Sequence, residues 1–122
     1  MFSTTTFLTI LFIILAVDSV YLFLTKSIFG EVVAKIQRTA MQLRLEGAVI
    51  VYLLLALGFY YFIVKPGRSA WEAGLLGLII YGTFDFTNYA MFKNYDLMTA
   101  IMDTVWGSIL FALTKVVYDL LH

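Results

Sequence analysis

The sequence contains no cysteine. Disulfides, thiolate metal sites and cysteine nucleophiles are therefore excluded. Histidine occurs once, as the final residue His122, so a haem ligand, a histidine metal site or a triad would have to be built on a fraying terminus. No haem or thiolate metal site is expected. Charge is also scarce: 13% of the 122 residues are charged and 62% are hydrophobic, with a mean hydropathy of +0.94. A soluble domain of this size needs far more polar surface. Lys and Arg together number 8, as do Asp and Glu, and this zero net charge gives no sign of a nucleic-acid partner. The partner that the composition implies is a lipid bilayer.

What is present is long apolar runs. The apolar stretch Phe2–Val17 is preceded by no Lys or Arg, so the basic region of a signal peptide is missing and a retained helix is expected. Four spans can be drawn, at about 5–25, 46–64, 69–92 and 97–120, each close to the ~20 residues that cross a bilayer. Lys65-Pro66-Gly67-Arg68, which holds the only proline, ends the second span with two breakers and two interfacial cations. Ser69 is placed to cap the third helix, with Glu72 three residues on as in a capping box. Lys93-Asn94-Tyr95-Asp96 reads as a short turn. The expected fold is an all-α membrane protein, a four-transmembrane-helix bundle forming one domain over residues 1–122. Short connections make the second, third and fourth helices expected antiparallel neighbours.

Lys26–Leu45 is the one distinctly polar segment. Phe29, Val32, Val33, Ile36, Ala40 and Leu43 recur at helical spacing, with Lys26, Glu31, Lys35, Arg38 and Arg44 between or beside them. This pattern predicts an amphipathic interfacial segment between helices one and two. The alternative is an early extension of the second span. Gly74, Gly77 and Gly82 are expected to serve helix packing rather than dimerisation. The positive-inside rule prefers the N-terminus outside, because Lys26, Lys35, Arg38, Arg44 and Lys93 then face the cytoplasm.

Ionisable residues inside these spans are the informative feature. Asp18 and Asp85 lie about two turns before the ends of helices one and three, and Asp103 about two turns after the start of helix four. At 1.5 Å per residue each lies roughly 10 Å below its membrane surface. In an antiparallel arrangement all three fall at one level in one leaflet, whichever way the chain is inserted. Tyr21 shares a face with Asp18, Tyr81 and Asn88 share one with Asp85, and Trp106 shares one with Asp103. Each acid costs about 2.5–3.5 kcal/mol to place at such depth. Three together repel, so at least one holds a proton or a cation sits between them.

Asp18, Tyr21, Tyr81, Asp85, Asn88, Asp103 and Trp106 are thus the candidate pocket, with Arg44, Glu46 and Lys93 at its rim. Asp18, Asp85 and Asp103 are the candidate metal ligands, and a hard cation would suit their oxygens better than a soft one. Three functions compete: a pocket for a small ligand, cation or lipid head group; a proton or cation transporter, which four short spans would form as a homo-oligomer; and a structural protein whose acids bind helices together. With no familiar nucleophile or metal motif, the balance leans away from an enzyme.

The segments Tyr81-Gly82-Thr83-Phe84-Asp85-Phe86-Thr87-Asn88 and Asp103-Thr104-Val105-Trp106-Gly107, together with Asp18 followed by an aromatic three residues later, resemble the small predicted membrane proteins grouped as domain of unknown function 2177. The resemblance covers nearly the whole chain. At the aromatic position the family pattern favours Trp, where this chain has Tyr21. The resemblance implies a four-helix membrane architecture without an assigned activity. It also implies a lipid connection, since members are often encoded beside enzymes of fatty-acid modification.

Overall fold

The structure, a computed structural model, describes residues 2–37 and 44–122. Within them the chain is all-helical: α1 (Thr4–Gln37), α2 (Leu45–Phe59) continuing into a π-helical turn (Tyr60–Val64), α3 (Ala70–Met91) and α4 (Leu97–Leu121). Three helical stretches are long and apolar enough to cross a membrane, namely Thr4–Gln37, Leu45–Val64 and Leu97–Leu121. The expected third span, α3, has the length at 22 residues. Glu72, Asp85 and Asn88, together with three glycines, keep its composition below that standard.

The helix ends follow local chemistry. Ser69 Oγ accepts from the Glu72 amide at 3.2 Å, and the Glu72 carboxylate accepts from the Ser69 amide at 3.2 Å, which is the expected capping box. Asp96 caps α4, accepting from the Met98 amide at 3.4 Å and the Thr99 hydroxyl at 3.2 Å. At the end of α2 the ladder widens to the π pattern, with the Lys65 amide donating to Tyr60 O at 2.9 Å. Pro66 offers no amide to continue it, and Gly67 turns the chain at φ 74°, a left-handed conformation that glycine adopts without strain.

The polar segment departs from expectation. Residues 26–37 neither form a separate helix nor extend α2; they continue α1, which runs for 34 residues. At 1.5 Å per residue that is about 50 Å, well beyond a ~30 Å hydrocarbon core. The reason is that Val32 and Ile36 keep the helical period and pack on Tyr95 and Ala100, while Asn94 donates to the Lys35 carbonyl at 3.2 Å. The α3–α4 turn thus holds the extension against the bundle. Arg38, Ala40 and Leu43 of the predicted segment lie outside the described residues.

Packing runs in the order α2, α1, α4, α3: α1 lies against both α2 and α4, and α3 against α4. Consecutive helices α2 and α3 are therefore not the close neighbours expected from their short connection. The small-residue face of α3 decides this, because it fits closely against α4. A Cβ on Gly77 would meet the Gly107 carbonyl oxygen at 2.1 Å, and one on Gly107 would meet the Tyr81 ring at 2.2 Å. Gly74 and Gly82 face Ser108 and Thr104 of the same helix, so these glycines serve contact within the chain. The apolar core gathers Ile10 and Ile14, Phe59 and Ile63, Ala73, and Leu110 and Phe111 toward the end opposite the aspartates. Outward, Phe12, Phe23, Leu24, Leu54 and Phe62 are exposed, an apolar surface suited to lipid rather than water.

Candidate functional site

Asp18, Asp85 and Asp103 are all buried, and all are hydrogen-bonded by aromatic donors. The partners are exchanged between helices. Trp106 of α4 donates its indole N–H to Asp18 Oδ1 of α1 at 2.8 Å, and Tyr21 of α1 donates its hydroxyl to Asp103 Oδ1 of α4 at 3.0 Å. The two rings stack at 4.6 Å with 2° between planes. Residues three apart on one helix project side by side toward the facing helix, so each aromatic reaches its neighbour's acid instead of its own. Tyr52 of α2 donates its hydroxyl to Asp18 Oδ2. Tyr95, in the α3–α4 turn, donates to Asp85 Oδ1 at 2.8 Å. Burial, reinforced by this hydrogen bond, pushes the Tyr95 hydroxyl above the ordinary tyrosine range, so it remains a donor at neutral pH.

Tyr52 and Tyr95 are the residues that sequence reasoning missed. Tyr52 reads as a packing or interfacial aromatic and Tyr95 as part of a turn. Their position at the aspartate end of the bundle is a signal in hindsight, but not a specific one. Tyr60, by contrast, packs in the apolar core and accepts from the Ser3 amide at 2.7 Å.

The three acids do not meet at one point. Among the described residues no three Asp, Glu or His side chains form a group able to hold a metal ion. The expected three-aspartate cation site is thus not assembled, because the Tyr21–Trp106 stack links Asp18 to Asp103 at a distance. Asp85 and Asp103 do adjoin, with their carboxyls within hydrogen-bonding reach. Asp103 floors a cavity of about 240 Å3, walled by Val51 and Leu55 of α2 and by Ile80, Tyr81 and Phe84 of α3. It lies where α2 and α3 stand apart. Asn88 is not in it. That amide lines a second cavity of about 270 Å3 beyond Phe84, with Phe29, Val32, Phe92 and Tyr95. Arg44, Glu46 and Lys93 are exposed. Another cavity, about 370 Å3, lies at the other end between Thr5, Phe12, Ile13 and Leu121. It offers no ionisable side chain. Lys115 near that end is neutralised by Asp119, at 2.6 Å.

A family model described as "Predicted membrane protein (DUF2177)" matches residues 3–118. The chain is a DUF2177 protein. As such it is an integral membrane protein, in agreement with its three spanning-grade helices. No curated protein and no solved structure matches it. Asp18, Asp85, Asp103 and Trp106, which lie among the residues through which the sequence resembles the family, all make hydrogen bonds at this site of the DUF2177 protein.

Proposed function

We propose that this DUF2177 protein is a four-span bundle that binds the polar head of a lipid or small amphiphile within one leaflet. The observation that carries the reading is the cleft between α2 and α3. Its walls are hydrocarbon and aromatic, and its floor is a buried carboxyl. A few convergent polar groups in an apolar concavity are what orient a ligand. In this reading α3 completes the fourth span because its polar face is turned to α4. The polar extension of α1 stands at the cytoplasmic side, with the N-terminus outside.

Conduction is less well supported. The half of the bundle away from the aspartates is filled by Ile10, Phe59, Leu110 and Phe111, and its buried Thr114 donates to its own helix, at Leu110 O. A conduit would have to run between copies of the chain. A structural role has one specific observation behind it: both oxygens of Asp18 have donors from other helices. We assign that role to Asp18 and ligand binding to Asp103.

The test is thermal stability of the purified protein in nanodiscs, across lipids, single-chain amphiphiles and mono- and divalent cations, for wild type and Asp103→Asn. Stabilisation by one class of amphiphile, lost in the variant, is the expected result. A protein indifferent to every addition, with a variant that behaves like wild type, would reduce all three acids to helix contacts.

A further inference from the structure

Asp85 has an oxygen that no donor reaches. The residue is fully buried, at 0% exposure. Tyr95 serves Oδ1, and Oδ2 has no hydrogen-bond partner. The neighbour within reach is the Asp103 carboxyl. Two ionised carboxylates are both acceptors and cannot bond to each other. With one proton between them, they can.

The groups that face the pair are named by element. Tyr21 comes from α1 and donates to Asp103. Tyr95 comes from the turn and donates to Asp85. Tyr81 of α3, Asp18 of α1 and Tyr52 of α2 are the other titratable groups in this half of the bundle. None is a cation. The ion pairs among the described residues are Arg68–Glu72 and Lys115–Asp119, both remote from the pair.

We infer that Asp85 and Asp103 hold one proton between them, and that the pair presents a single negative charge to the α2–α3 cleft. The proton resides on Asp85, which is the more deeply buried, and bridges to Asp103, which opens on the cleft. This inference rests on the cleft reading above and narrows its ligand to an amphiphile with one positive charge, such as a primary ammonium. A divalent metal ion would find one accessible carboxylate and apolar walls, too few oxygens for the six or more that hard cations take. An ammonium donates its hydrogens to Asp103, and its hydrocarbon lies on Val51, Leu55, Ile80 and Phe84.

Two measurements on the full chain in nanodiscs decide it. The first is infrared spectroscopy at neutral pH in H2O and D2O. Wild type should show the C=O stretch of a buried protonated carboxyl, Asp85→Asn should lack it, and Asp103→Asn should shift it by replacing the charged acceptor with a neutral amide. No such band in wild type, or a band unchanged in Asp85→Asn, overturns the shared proton. The second is the shift in melting temperature with dodecylammonium, dodecanol and dodecyl sulfate. Dodecylammonium alone should stabilise wild type. Asp103→Asn should lose the effect. Equal stabilisation by dodecanol would overturn the charge match while leaving the cleft as an amphiphile site. No shift with any of the three would overturn the cleft reading itself, and the infrared band would still decide the proton.

Discussion

Asp18 and Asp85 are the same residue, both buried in the same half of the bundle, yet their surroundings differ. Asp18 meets a donor for each oxygen, Tyr52 from α2 and Trp106 from α4. Asp85 meets one donor and one acid. A buried carboxylate with complete partners holds helices in register, because every alternative arrangement strands a polar group in hydrocarbon. A carboxyl that lacks a partner must keep a proton or wait for a ligand. The number of donors, not depth, separates an element of the scaffold from an element of the site.

The contrast can be broken at its base or sharpened at each acid. The largest effect is expected for Gly77→Ala. The new methyl would meet the Gly107 backbone, which cannot rotate away, and overpacking of this kind costs about 3 kcal/mol. The melting temperature should fall steeply, and the Asp85–Asp103 contact, which spans α3 and α4, should be lost before Tyr52–Asp18, which spans α1 and α2. Asp18→Asn comes next. Its amide would turn a donor toward Tyr52 or Trp106, leaving a buried donor unsatisfied at about 1–3 kcal/mol. A lower melting temperature and a shifted Trp106 emission relative to wild type would register it. Tyr21→Phe and Tyr52→Phe each remove one interhelical hydrogen bond, worth ~0.6 kcal/mol on average in membranes, and should lower stability modestly in thermal melts. Asp85→Asn is expected to cost least, within about 0.5 kcal/mol, since an amide reproduces the protonated acid. If it proves as damaging as Asp18→Asn, the contrast between the two acids fails.

Much of the helical layout was legible in the sequence. Leu97 begins α4 as expected, Val64 ends the second helical stretch, and Ser69 with Glu72 builds its capping box. These boundaries depend on neighbours in the chain. The α1 extension was not legible. Its amphipathic period is compatible with a separate interfacial helix, and only Tyr95 and Ala100, some sixty residues on, provide the apolar surface that keeps it in line. Likewise Tyr52 and Tyr95 are single aromatics in an aromatic-rich chain, and nothing local marks them as donors.

The sequence by itself determined that the chain belongs in a membrane, where its second, third and fourth helices begin and end, and that three aspartates stand in apolar helices beside aromatic residues. Hydropathy, helical period and capping are short-range properties, and they need no knowledge of the rest of the fold. Tertiary structure decided which aromatic serves which acid, that α2 and α3 part to leave a cleft, and that Asp103 floors it while Asn88 faces another cavity. Those outcomes turn on which helix faces touch. The faces are chosen by close fits such as Gly77 on Gly107, a matter of shape between residues thirty positions apart that no local pattern encodes.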